Sequence, residues 1–190
     1  KMLESGSLEA RRKLAGGENT LPEILYFLAR DKDDEVRRLA TLNKSTPVQA
    51  SALLANDKSV DVRLALAARL VDLLPGLSSE KHGQLYAYAV QALGVLAQDE
   101  VLKIRQALSS ALKDHAKAPP KVVGQLARDV EREVSEPILR FCVALSDEDL
   151  LDILAHHPES WVVSSIASRT MVSIRVSDAV FETKDVPANT

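Results

Sequence analysis

Asp31, Asp57 and Asp99 are each followed, six residues on, by an arginine: Arg37, Arg63 and Arg105. A carboxylate and a guanidinium group form charge-assisted, often bidentate hydrogen bonds, so the spacing offers the same strong pair three times. Within one copy the two side chains cannot meet along a regular helix, because six steps of about 100° put them on separated faces with a rise of about 9 Å. Between copies they can. The pattern therefore predicts a structural ladder, Arg of one copy to Asp of the next, and not a catalytic dyad.

The remaining chemistry-bearing residues are sparse. His156-His157 is the most metal-like feature, yet neighbours on a helix point about 100° apart and do not chelate together. The pair precedes Pro158, where a helix is expected to end and a cation is favourable. Carboxylates cluster at Asp31, Asp33, Asp34 and Glu35 and again at Asp147, Glu148, Asp149 and Asp152, both at expected helix starts where the helix dipole favours negative charge. Cys142 is flanked by Phe141 and Val143 and reads as a small buried hydrophobe. Gly16-Gly17 reads as a turn and not as a phosphate loop. No catalytic, cofactor or metal residue is expected. Trp161, the single tryptophan, suits either an interface anchor or the filling of a gap between repeats. Arg69 and Arg169 suit either the capping of helix-terminal carbonyls or a polar row that reads a partner.

Composition narrows the classes further. The 190 residues are 46% hydrophobic, 27% charged and only 4% aromatic, with a net charge of −3. That is globular composition with a core of Leu, Ala and Val. A nucleic-acid partner is not expected, because phosphate neutralisation calls for a basic surplus and the most basic cluster, Arg11-Arg12-Lys13, is short. A single cysteine excludes an intrachain disulfide. No apolar run reaches the ~20 residues that span a bilayer, and no signal peptide opens the chain, so a cytoplasmic location is expected. The start at Lys1 and the polar end at Thr190 read as a fragment of a longer chain.

The elements that must position these residues are helices. Thr20-Leu21-Pro22-Glu23, Thr46-Pro47, Ser78-Ser79-Glu80, Pro119-Pro120 and Ser146-Asp147-Glu148-Asp149 are start signals, the first and last with capping-box spacing. About eleven helices are predicted, and no period-2 strand. They repeat. Leu28-Ala29-Arg30-Asp31, Leu54-Ala55-Asn56-Asp57, Leu96-Ala97-Gln98-Asp99 and Leu126-Ala127-Arg128-Asp129 share one motif, with Val36, Val62, Ile104 and Val134 five residues after the Asp. Leu154-Ala155-His156-His157 with Val162 continues it, and Ala10-Arg11 fits an N-terminal copy. The β-branched residue opens an i, i+3, i+4, i+7 stripe in each copy, so Leu-Ala should close one helix, the Asp mark the turn, and the stripe face the neighbouring repeats. Offsets of 26, 42, 30 and 28 residues separate the Asp positions, and the long one reads as an extra helix between Glu80 and Gln98.

These motifs resemble the HEAT-repeat signature. Leu28 to Leu70 is also similar to the leucine-rich-variant repeat, with Asn43-Lys44-Ser45-Thr46-Pro47 as its turn. Leu126 to Asp185 resembles an uncharacterised family of alphaproteobacterial HEAT-like proteins, through Leu145–Leu150, Ile166–Arg169 and Val176–Asp185. The resemblance implies an all-α fold, a right-handed α-α superhelix of degenerate HEAT-like repeats, read as a single domain over residues 1–190. It is nearly silent on activity. The leucine-rich-variant prototype carries a cysteine cluster for an iron–sulfur centre, which a single cysteine excludes. The expected function is a non-catalytic scaffold for an unidentified protein partner. The alternative is an enzyme or nucleic-acid binder on a similar scaffold, as in alkylpurine DNA glycosylases or bilin lyases. Ser135 and Val163 replace the ladder arginine in the last two copies and His157 replaces the Asp, so the C-terminal third is expected to rest on apolar packing alone. Trp161, His157, Arg69 and Arg169 are the candidate partner-binding residues.

Overall fold

A computed structural model describes residues 6–77 and 83–184, the side chain of Lys184 excepted. The chain is all-α. Among the described residues it forms twelve α-helices and two 3-10 turns, and no strand: α1 Leu8–Gly16, α2 Pro22–Leu28, α3 Asp34–Leu42, α4 Ser51–Leu54, α5 Val60–Leu73, α6 Gly83–Leu96, α7 Leu102–Leu112, α8 Pro120–Leu126, α9 Arg132–Phe141, α10 Asp147–His156, α11 Ser160–Ala167 and α12 Ile174–Lys184. The 3-10 turns are Val48–Ala50 before α4 and Leu74–Gly76 after α5. Contacts divide the chain into two compact units, Lys1–Ala107 and Leu108–Thr190.

The motif fixes the helix boundaries. In the first, second and fourth copies the Leu is the last residue of a helix and the Ala its C-cap: Leu28-Ala29, Leu54-Ala55 and Leu126-Ala127. The Asp then accepts, through Oδ1, the backbone N–H two residues on, at 2.9 Å from Asp33, 2.8 Å from Ser59, 2.9 Å from Val101 and 2.9 Å from Glu131. This local side-chain bond offers the backbone an alternative to a further helical turn, which stops the first helix and sets up the second. Asp33, Ser59 and Glu131 are the N-caps of α3, α5 and α9. The β-branched residue that follows is fully buried in four copies, Val36, Val62, Ile104 and Val134, and nearly so at Val162. Each such side chain contributes roughly 1.5–3 kcal/mol by leaving water.

In the first unit the second helices pack in sequence, α1 on α3 and α3 on α5, while α4 meets α6 on the other layer. Ala15, Leu28, Val36 and Ala40 form one buried cluster with Ile24 and Leu39 against it. Small alanines at Ala15 and Ala40 let the helices approach, which suits a core poor in aromatic residues. In the second unit α9 packs on α11, α8 on α9, and α12 on both α10 and α11.

Several expectations need correction. The helix expected between Glu80 and Gln98 is present as α6, but it is the closing helix of its copy, as α4 is of the copy before, and not an extra one among the described residues; α5 and α6 are each 14 residues long where α3 has 9 and α4 only 4. Thr20 does not cap α2. Leu21 occupies the cap position without a side-chain bond, and the Thr20 hydroxyl turns back to donate to Leu14 O at 2.6 Å, closing the end of α1 instead. The expected start at Ser78-Ser79-Glu80 lies outside the described residues. In the fifth copy the helix does not stop at Leu154: α10 runs on through Ala155 to His156, and His157 is its cap. With no carboxylate at residue 157, the Asx turn that ends the first helix elsewhere has no acceptor.

Candidate functional site

The ladder arginines reach in two directions at once. Arg37 donates from Nε to Asp57 Oδ2 at 2.6 Å and from Nη2 to Asp57 Oδ1 at 2.9 Å, and its Nη1 donates to the carbonyl of Asp31 at 2.8 Å. Arg63 does the same one copy later, to Asp99 Oδ2 at 2.6 Å and Oδ1 at 3.2 Å, and to Asp57 O at 2.6 Å. Asp31 takes its arginine from the N-terminal copy, Arg11 Nε donating to Oδ2 at 2.8 Å. Arg105 repeats the inward bond, Nη1 donating to Asp99 O at 2.7 Å. One guanidinium thus clamps the turn of its own copy through a carbonyl and the turn of the next through a carboxylate. Six residues cannot span Arg to Asp side chain, as the spacing required, yet they do span Arg to the Asp backbone, which sequence reasoning missed.

These pairs are buried. Arg37 is 5% exposed and Arg63 8%. Burial alone would raise the Asp57 carboxyl, but the Arg37 guanidinium and the Ser59 N–H more than offset it and hold the group below the usual aspartate range. Arg37 is correspondingly raised by its hydrogen bond to Asp57, against the opposing effect of burial.

Arg69 and Arg169 carry a second set of inter-copy bonds at the last position of the apolar stripe. Asn43 occupies that position in α3's copy and donates from Nδ2 to Ala15 O and Gly17 O, both at 2.9 Å. Arg69 Nη2 donates to Thr46 O. Arg169 donates from Nη1 to Leu139 O at 2.7 Å and from Nη2 to Cys142 O at 2.9 Å. Asn43 and Arg169 thereby cap carbonyls at the end of the preceding second helix, which no intrahelical donor can reach, and Arg69 holds a carbonyl in the turn after α3. Burial lowers the pKa of Arg69 and likewise of Arg169.

The second unit is not held by apolar packing alone, contrary to expectation. Arg128 Nη1 pairs with Asp149 Oδ1 and its Nη2 with Asp152 Oδ2, both at 2.8 Å. Buried Ser109 donates to Val134 O at 2.6 Å. Asp149 and Asp152 lie three apart, one helical face, and that spacing was the available signal for a basic partner. Ser135, in the ladder position, is buried and donates only to Glu131 O in its own helix. His156 Nδ1 lies 3.1 Å from Asp152 Oδ1, one turn back on its own helix. Among the described residues no group of three or more His, Cys, Asp or Glu is placed to hold a metal ion. No described helix is long and apolar enough to cross a membrane.

His157 and Trp161 come together in one cleft of about 200 Å³, lined also by Arg128, Asp129, Ser135 and Glu159 among others. Trp161 is half-buried, with the Arg132 guanidinium 5.3 Å above its ring. Arg69, in the other unit, and Arg169 do not line it.

No family model matches the chain, and no curated protein matches it. A solved structure of a leucine-rich repeat variant with a novel repetitive protein structural motif is similar to the chain at 23% identity over 95% of this chain and 78% of that one, with a TM-score of 0.33.

Proposed function

We propose that the chain is a non-catalytic scaffold that binds a partner protein, working without a cofactor and in the cytoplasm. What carries the reading is the set of large apolar side chains left in solvent in the second unit. Met171 is 83% exposed, Ile174 81%, Val143 69% and Phe181 66%. Met171, Val172 and Ile174 fall within four consecutive positions at the entry to α12, which groups three of them on one short stretch. Contiguous exposed apolar surface marks interaction sites more often than chance, and a methionine adapts its shape to a partner. The polar residues that define the repeat are engaged in joining copy to copy, which leaves binding to the surfaces between and beyond them.

The test is affinity capture from native cells with the wild-type chain and a Met171→Asp/Ile174→Asp variant. A protein retained by the first and lost by the second, at equal thermal stability, is the expected result. Equal retention by both would remove the α12 entry from the interface, and specific turnover of a small molecule by the purified chain would overturn the non-catalytic reading.

A further inference from the structure

The cleft that holds His157 and Trp161 is the place where the ladder is interrupted. A regular rung here would run from an arginine at position 135 to an aspartate at position 157, and both are replaced, by Ser135 and His157. The rung between Arg63 and Asp99 sits in an equivalent surface notch, lined by Ala55, Asp57, Lys58, Arg63, Val95 and Asp99. Their counterparts Ala127, Asp129, Val130, Ser135, Ile153 and His157 all line the cleft. In the first unit the notch is occupied by the chain's own guanidinium. In the second, the side chain that would fill it ends at the Ser135 hydroxyl, folded back on Glu131.

We propose that this cleft is an arginine slot, in which a guanidinium group presented by a partner protein takes the place of the absent rung. The proposal rests on the scaffold reading and names the chemistry of what that scaffold binds. Three observations support it. The first is the template itself: Arg37 and Arg63 show how a guanidinium lies across this part of the repeat, donating to the turn of one copy and the carboxylate of the next. The second is charge. Arg128, the arginine among the lining residues, is itself paired with Asp149 and Asp152, and the Glu159 carboxylate lies in the same lining, so the surroundings favour an incoming cation. The third is the wall. Trp161 already stacks under the Arg132 guanidinium, and a planar cation suits such a ring better than an ammonium does. His157 places an imidazole ring where Asp57 and Asp99 offer carboxylates.

Trp161 is the single tryptophan, so its fluorescence reports on the cleft directly. The full chain is titrated with acetyl-Gly-Arg-Gly-amide, and with the lysine and citrulline analogues, to about 10 mM, a range that registers dissociation constants near 1 mM. A saturable change is expected with the arginine peptide and a response at least about tenfold weaker with the other two, since lysine lacks the planar fork and citrulline the charge. Ser135→Arg should abolish the response, because the chain then supplies its own guanidinium. His157→Asp should tighten it about tenfold by restoring the carboxylate of the rung. That second variant keeps the test decisive if Ser135→Arg fails to fold. No saturable change in either wild type or His157→Asp, an equal response to the lysine peptide, or unchanged binding by folded Ser135→Arg would each overturn the slot. The two readings fail separately. A captured protein retained equally by wild type and Ser135→Arg leaves the scaffold standing and overturns the slot. An arginine response without any captured protein supports the slot and counts against the scaffold.

Discussion

Replacing Arg37 by methionine keeps most of the apolar stem and removes the guanidinium, so it isolates what the rung contributes. Two bonds to Asp57, at 2.6 and 2.9 Å, one to Asp31 O at 2.8 Å and one to Lys32 O at 3.2 Å are lost together. The Asp57 carboxylate stays buried with the Ser59 N–H and without its countercharge. Removing one partner of a buried pair costs about 3–5 kcal/mol. The lower end applies here, because Asp57 can escape part of the penalty by taking up a proton. We therefore expect Arg37→Met to lose about 3 kcal/mol. Asp57→Asn should lose about 2 kcal/mol, since the isosteric amide retains some hydrogen bonding. The double variant should lose clearly less than the sum, with a coupling of about 1.5–3 kcal/mol. Urea unfolding followed by helical circular dichroism measures all four. The pH dependence gives an independent check. Asp57 has a depressed folded-state pKa, so the rung's contribution is fully present above the ordinary aspartate value of about 3.9 and is lost as pH falls below it. The gap between wild type and Arg37→Met should thus be widest near neutrality and shrink toward about pH 3. A coupling below about 0.5 kcal/mol, or a gap that does not change with pH, would refute the ladder as a source of stability.

Arg169→Met should lower stability by about 1–3 kcal/mol, through the two carbonyls of Leu139 and Cys142 left without a donor, and the loss should be insensitive to salt because both acceptors are neutral; thermal melts at two ionic strengths check it. Arg128→Ala should lose no more than about 1 kcal/mol, and less at high salt, since its side chain is 34% exposed and solvent screens its two carboxylate partners. Cys142 is fully buried, and burial pushes its thiol pKa up, so a thiol reagent should label it only as fast as the second unit unfolds; labelling at the rate of a free cysteine would place it at the surface.

The repeat was legible in the sequence because its physics is local. Leu-Ala-x-Asp ends a helix through a bond that Asp makes two residues on, and Val or Ile at the next stripe position is always buried, so four residue types read in one line define the unit. What could not be read depended on how far helices run. The 42-residue offset looked like an added helix because helix lengths are set by what they pack against, and 14-residue α5 and α6 carry no internal signal that distinguishes one long helix from two short ones. Thr20 failed as a cap for a related reason: its hydroxyl can serve the helix before or the helix after, and the open carbonyl of Leu14 was invisible in the sequence. Arg128 was missed because its partners lie 21 and 24 residues away, a distance with no periodic signature in one copy.

The fifth copy shows why losing both halves of a rung differs from losing one. An aspartate kept at position 157 without its arginine would leave a carboxylate beside the turn with no guanidinium to meet it. An arginine kept at position 135 would fill the notch itself, as Arg63 fills the notch beside Asp99. Replacing both removes the charge problem, and the local consequences follow in order. Without Asp the helix is not stopped at Leu154, so α10 continues to His156 and exposes Ala155, whose counterparts Ala29, Ala55, Ala97 and Ala127 are buried. Without Arg the notch between turns stays open, and Ser135 satisfies its hydroxyl within α9. Bonds that join the copies lie outside the ladder line instead, from Arg128 to Asp149 and Asp152 and from Arg169 to the carbonyls of Leu139 and Cys142. A junction held by bonds on either side of the notch, and not through it, is one that can accept a guanidinium from elsewhere without first giving up one of its own.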